Sequence, residues 1–185
     1  AVLIFMLLPY FLSGLFRKFI VSNTLLAIVE GCIRMGIFIL YVALISSMKD
    51  IRRTYMYHGA EHKCINCIER GRALSVRNVR KSSRYHARCG TSFLFVVIFV
   101  SILVSSVVFG IWPITNVWLR TLAHLILLPL VVGITYEFNR WVGRHVQDSR
   151  LAKILTAPGM WMQNFTTNEP DDSMIECAIR SLELV

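Results

Sequence analysis

The sequence predicts an all-α fold: a helical, multi-pass membrane protein with a basic cytoplasmic loop and amphipathic C-terminal helices. Three observations carry this. Of 185 residues, 55% are hydrophobic and 17% charged, and the mean hydropathy is +0.57, which excludes a disordered chain and is high for a soluble one. Apolar runs of membrane-spanning length recur along the chain. The net charge of +9 is concentrated, because residues 49–91 hold 11 Lys and Arg against 3 Asp and Glu. A basic patch of this kind can bind nucleic acid. Beside apolar spans it reads better as a cytoplasmic loop obeying the positive-inside rule, and no specific nucleic-acid partner is predicted. Five cysteines in a chain of this length do not suggest a disulfide scaffold.

Residues 1–48 read as N-terminal membrane segments. The opening run, Ala1–Phe16, has no Met or charged segment before it and is too short to span. It reads as the incomplete first segment of a chain lacking its natural N-terminus. Leu25–Met48 has spanning length and carries Glu30 and Arg34 one turn apart, placed to neutralise each other; entering partway or lying along the interface is the alternative. Residues 49–91 form the basic loop. It is laid out as a helix over Tyr55–Glu69 stopped by Gly71, then a short helix from Ser75 as N-cap to near Arg84. Residues 92–141 form a transmembrane hairpin. Ser92–Trp112 is 21 residues without a charge, roughly 30 Å of helix. A turn at Pro113–Asn116 leads to a second span, Val117–Trp141. With 49–91 on the cytoplasmic side, Arg17 and Lys18 fall on the opposite side, against the charge rule. Residues 142–185 form an amphipathic tail. Leu151, Ile154, Leu155, Trp161 and Met162 suit a membrane surface or packing on the loop. Glu169-Pro170-Asp171-Asp172-Ser173 starts a last helix with Ile175, Ile179 and Leu182 at helical spacing.

The chemistry-bearing stretch is His58-Gly59-Ala60-Glu61-His62. Residues four apart share a helix face, so His58 and His62 can grip one metal ion. Glu61 stands beside them as the general base that accepts a proton from metal-bound water, in the order of the inverted zincin motif. A second group, His86 and Cys89, offers further ligands. Cys64, Cys67, His86 and Cys89 together have structural-zinc spacing, so a closed structural site competes with an open catalytic one. The blander readings are a His pair that only hydrogen-bonds to carboxylates or lipid phosphates, and Cys64 and Cys67 as buried thiols. Cys32 and Cys177 read as packing residues and His124 as a satisfied bundle histidine. Glu137, near the cytoplasmic end of its span, is a third ligand, a partner holding a histidine, or a snorkelling residue paired with Arg140.

These strings, His58-Gly59-Ala60-Glu61-His62-Lys63 and His86-Ala87-Arg88-Cys89-Gly90-Thr91-Ser92-Phe93, resemble the YqhQ-like family of bacterial membrane proteins. Gly133-Ile134-Thr135-Tyr136-Glu137-Phe138, Glu169–Ser173 and Ala157-Pro158-Gly159 before Trp161 resemble it too, so the likeness runs through nearly the whole chain. It implies a multi-pass protein of the bacterial cell membrane, and a metal-dependent enzyme, as the family is often labelled from these histidines. The family's glycine-rich N-terminal motif has no counterpart here, which agrees with truncation. Ala87 stands where the family usually has Pro. Cys64 stands where it more often has Thr, which favours His58, His62, His86 and Cys89 as the shared set.

The reading is therefore a membrane-embedded metal-dependent protein. It is a hydrolase at the cytoplasmic membrane face, with a divalent metal, zinc for preference, held by His58 and His62. His86 or Cys89, and Glu137, complete the ligands, and Glu61 is catalytic. Arg72, Arg77, Arg80 and Arg84 attract an anionic substrate or anionic lipid headgroups, or simply set topology. The alternative is a non-enzymatic membrane assembly or interaction factor with a structural metal. Transport ranks below both, with too few spans and no repeat.

Overall fold

A computed structural model describes residues 3–184. Ala1 and Val2, which open the Ala1–Phe16 run, and Val185, which closes the tail, lie outside the described residues. Among the described residues there are helices and no strand. The helices are α1 (Leu8–Gly14), α2 (Asn23–Ser46), α3 (Lys49–Glu69), α4 (Val76–Arg80), α5 (Gly90–Ile111), α6 (Val117–His145), α7 (Arg150–Thr166) and α8 (Asp172–Glu183). A π turn at Leu3–Leu7 and a 3-10 turn at Leu15–Lys18 flank α1.

Three helices, α2, α5 and α6, are long and apolar enough to cross a membrane, with 24, 22 and 29 residues against the roughly 20 that a hydrocarbon core requires. Helix α2 is continuous over its 24 residues. Helix α6 carries Pro129 in its interior and runs past Trp141 to His145.

The chain divides into two compact units, one of residues up to Tyr41 with Phe93–Arg144, the other of Val42–Ser92 with His145 onward. In the first, the membrane unit, α2 and α5 approach closely where small residues permit it. A Cβ on Gly31 would lie 2.5 Å from Ile102 Cγ1, and one on Gly110 would collide with Thr24 Oγ1. Leu103, Val107, Leu125 and Ile126 are exposed, as lipid-facing side chains must be. Inside, Glu30 gathers charge. Arg34 lies 3.0 Å from its Oε1, as the i, i+4 spacing leads one to expect, and Arg120 lies 2.7 Å from its Oε2. His124 is 3.6 Å from Glu30 and 3.3 Å from Arg34.

In the second unit α3, α4 and α8 enclose an apolar core of Ala60, Cys64, Cys67, Val79, Met174, Ile175 and Ile179. Helix α3 starts at Lys49, six residues before the predicted Tyr55: Met48 has extended backbone, so the chain can turn straight into the helix, and Asp50 sits in its first turn, where its charge suits the helix dipole. It ends at Glu69, and two residues on the chain turns away at Gly71, whose φ of +65° is a conformation that only glycine adopts freely. Ser75 caps α4 by accepting from the Asn78 N–H, Ser149 caps α7 and Asp171 caps α8. On α7, Met162 is buried while Leu151, Ile154, Leu155 and Trp161 remain exposed. The expectation that Cys32 and Cys177 are packing residues is corrected, since both are exposed. Each lies on the outer side of its helix, a side that composition alone does not distinguish.

Gly59 lets α3 touch the chain after α7. The Asn168 N–H donates to Tyr55 O at 2.9 Å, and a Cβ on Gly59 would collide with the Asn168 carbonyl oxygen. Gly36 on α2, by contrast, has nothing within 4 Å of such a Cβ. Gly59→Ala is expected to destabilise the protein by about 1–3 kcal/mol through overpacking, outweighing the ~1 kcal/mol helix-propensity gain that Gly36→Ala receives without cost. Thermal unfolding in detergent checks this. A melting temperature for Gly59→Ala at or above that of Gly36→Ala contradicts the packing.

Candidate functional site

His58, His62 and Asn66 stand four residues apart on one face of α3, and each donates to a backbone carbonyl. His58 Nδ1 is 2.8 Å from Thr166 O, and His62 Nδ1 is 2.7 Å from Arg84 O. A carbonyl oxygen only accepts, so both Nδ1 atoms carry protons, and each ring's Nε2 is the atom left for another partner. Asn66 Nδ2 donates to Ser83 O at 2.8 Å and Tyr85 O at 3.0 Å. The buried Lys63 ammonium donates to Arg80 O and Ser82 O, both at 3.0 Å, and pairs with Glu169 at 3.0 Å. The stretch from Lys81 to Cys89 has no helix of its own. These side chains satisfy its carbonyls and fix its path.

That path delivers Cys89. Its Sγ lies 3.3 Å from His58 Nε2 and 3.1 Å from Thr91 Oγ1, which in turn is 3.1 Å from Thr166 Oγ1. Gln163, fully buried, clips α7 to the same stretch. Its Oε1 accepts from the His86 N–H at 2.9 Å, and its Nε2 donates to His86 O at 2.7 Å and Ser92 Oγ at 2.8 Å. Ser92 Oγ donates to Gly159 O at 2.9 Å, and a Cβ on Gly159 would press to 2.9 Å from Ser92 Cβ, which accounts for a glycine there.

Burial pushes the Cys89 thiol up, but hydrogen bonds from His58, His62 and Thr91 outweigh it and bring it down to about 5. His58 is raised by its bond to Cys89 first, against burial, with the Thr166 carbonyl and the Glu61 charge adding. At neutral pH a thiolate therefore faces an imidazole whose affinity for a proton is raised. Cys64, by contrast, is pushed up to about 11 by burial.

One ligand atom from each of His58, His62 and Cys89 lies within 4.8 Å of the others. The sulfur-to-nitrogen distance of 3.3 Å is close to the ~3.5 Å that separates ligands on a tetrahedral ion with bonds of about 2.0–2.3 Å. The donor set fits a borderline-soft cation such as zinc. Glu61 is exposed, one residue before His62. His86 is buried near His62, ring centroids 5.9 Å apart, but its Nε2 lies 3.2 Å from Glu69 Oε1, and Arg88 shares that carboxylate. Glu137 belongs to the membrane unit, with a side chain 67% exposed and 3.6 Å from Arg140. Cys64 and Cys67 sit in the apolar core, apart from the three-residue group. Sequence reasoning missed Thr91, Thr166 and Gln163. Thr91 was visible beside the Cys89 motif, whereas Thr166 and Gln163 lie more than 70 residues away and carry no local signal.

A family model described as "Protein of unknown function (DUF1385)" matches residues 1–185. The chain belongs to this family. It is 38% identical over 178 residues to "Uncharacterized protein YqhQ" of Bacillus subtilis (strain 168), covering 96% of this chain and 54% of the relative. It thus spans about half the length of that protein. No solved structure matches.

Titrating the thiolate ultraviolet absorbance of chelator-treated protein reads the Cys89–His58 pair. A step centred at about 5, absent from Cys89→Ala, is expected. In His58→Ala the step moves up toward the ordinary thiol range of about 8–9, so that at neutral pH the wild type is thiolate and the variant mostly thiol. A wild-type protein with no step below the ordinary range refutes the pairing.

Proposed function

We propose that this chain is the metal-holding part of a membrane-embedded hydrolase. It acts at the cytoplasmic face of the bacterial cell membrane on a peptide or lipid-linked substrate. The observation that carries this is the double Nδ1–H lock: two imidazoles fixed by backbone carbonyls keep Nε2 as ligand atoms beside a thiolate, the arrangement that outer hydrogen bonds impose on metal-binding histidines. His58, His62 and Cys89 would hold the ion, zinc or a similar divalent metal. Three protein ligands leave one position open, as catalytic sites require.

The ion would supply Lewis acidity and lower the pKa of water to about 7. The Glu61 carboxylate, exposed and adjacent to His62, takes the proton of the attacking water as general base. Glu69 holds His86 and Arg88 at the edge of the site. Exposed Arg72 and Arg77 draw an anionic substrate or lipid headgroup to it, while Arg80 and Arg84 are engaged with Asp172 and Glu169. Cys89 immediately precedes α5, which supports a site at the end of a membrane span. The concentrated positive charge of 49–91 supports the cytoplasmic side.

The competing reading, an assembly factor with a structural metal, uses the same ligands and differs at Glu61. Elemental mass spectrometry of protein purified without chelators is expected to give about one zinc per chain. His58→Ala, His62→Ala and Cys89→Ala should lose it. Glu61→Gln should keep it and lose hydrolysis of model peptide or lipid-linked substrates by about 10²–10⁴-fold. Cellular function preserved in Glu61→Gln, with unfolding of Cys89→Ala, selects the scaffold. Metal-free wild type eliminates both.

A further inference from the structure

We infer a second site, in the membrane unit, that binds the phosphate headgroup of an anionic lipid at the N-terminal end of α2 and the C-terminal end of α5. It is independent of the His58–His62–Cys89 group and goes beyond the hydrolase reading. The first observation is a charge imbalance. Glu30 is one carboxylate shared by two guanidiniums, Arg34 and Arg120, all three with side chains 4–11% exposed. Among the described residues, one positive charge inside a spanning segment is left without a counter-charge, a costly arrangement that marks function. Arg34 Nε is buried and has no hydrogen-bond partner.

The second observation is where that charge opens. Arg120 gives Nε and Nη2 to Glu30, and its Nη1 makes only a long 3.4 Å contact with Ile114 O. Arg120 and Ile114 both line a cavity of about 270 Å³, and Arg17, Asn23 and Thr115 add polar groups to it. Arg17 therefore brings a second guanidinium to the cavity. Its position offends the charge rule for topology, and the cavity gives it another purpose. Two guanidiniums with a hydroxyl and an amide suit a phosphate oxygen cluster.

The third observation selects a lipid over a free anion. Ile20, Val21, Leu26, Phe109 and Pro113 complete the lining, and Leu15, Phe16 and Phe19 are exposed beside Arg17. A soluble phosphate gains nothing from such a rim, whereas acyl chains do.

Native mass spectrometry of the detergent-purified protein tests the site with phosphatidylglycerol, diacylglycerol and glycerol 3-phosphate. Phosphatidylglycerol should bind one to one and about tenfold or more tightly than diacylglycerol, which lacks the phosphate. Arg17→Gln should weaken it by about tenfold, and Lys18→Gln, an equal charge loss at a residue outside the cavity lining, should leave it unchanged. Arg120→Gln, which leaves Glu30 balanced by Arg34, should also weaken binding while helical circular dichroism is retained. Equal weakening by Arg17→Gln and Lys18→Gln, or no preference for phosphatidylglycerol over diacylglycerol, overturns the site. Glycerol 3-phosphate binding as tightly as phosphatidylglycerol overturns the lipid as its occupant.

Discussion

Backbone carbonyls in a stretch with no helix or strand must find donors, and in this protein one helix supplies them. Helix α3 presents His58, His62 and Asn66 in register, with Lys63 beside them, to the oxygens of Thr166, Arg84, Ser83, Tyr85, Arg80 and Ser82. An unmet buried carbonyl costs about 1–3 kcal/mol, so the Lys81–Cys89 path stands only while this face of α3 is intact. The same bonds set the tautomers of both histidines. Structural support and site chemistry are thus one set of interactions, and the position of Cys89 follows from them.

The membrane unit rests on a different balance. Charge inside an apolar helix is tolerated only when partnered, and Glu30 serves Arg34 and Arg120 together. Arg120 also stacks over the Phe109 ring at 4.0 Å, a cation–π contact that is strengthened away from water. Glycines 31 and 110 bring α2 and α5 close enough to hold the cluster.

The fold class and the three spans were legible because their signal is local, length and apolarity, and so were the bounds that Gly71, Ser75 and Asp171 set on α3, α4 and α8. The His58–His62 pairing was legible for the same reason, since four residues return a helix to one face. Cys89 joined from its motif, but the separation of Cys89 from Cys64 and Cys67 was not visible in spacing. Cys64 and Cys67 point into the core with Val79 and Ile175, and only the packing of α8 on α3 decides that. His86 was legible as a ligand candidate, but its contacts with the Glu69 carboxylate and the Arg88 backbone N–H were not. The partner of Glu30 beyond Arg34 was likewise invisible, because Arg120 lies 90 residues on.

The Cys89–His58 contact has a consequence for proton exchange with the medium. Whether the pair is written as thiol with neutral imidazole or as thiolate with imidazolium, it holds one proton more than the form able to ligate a cation. Loading the site with a cation would therefore discharge that proton, and its affinity for any cation would rise with pH until the pair gives the proton up unaided.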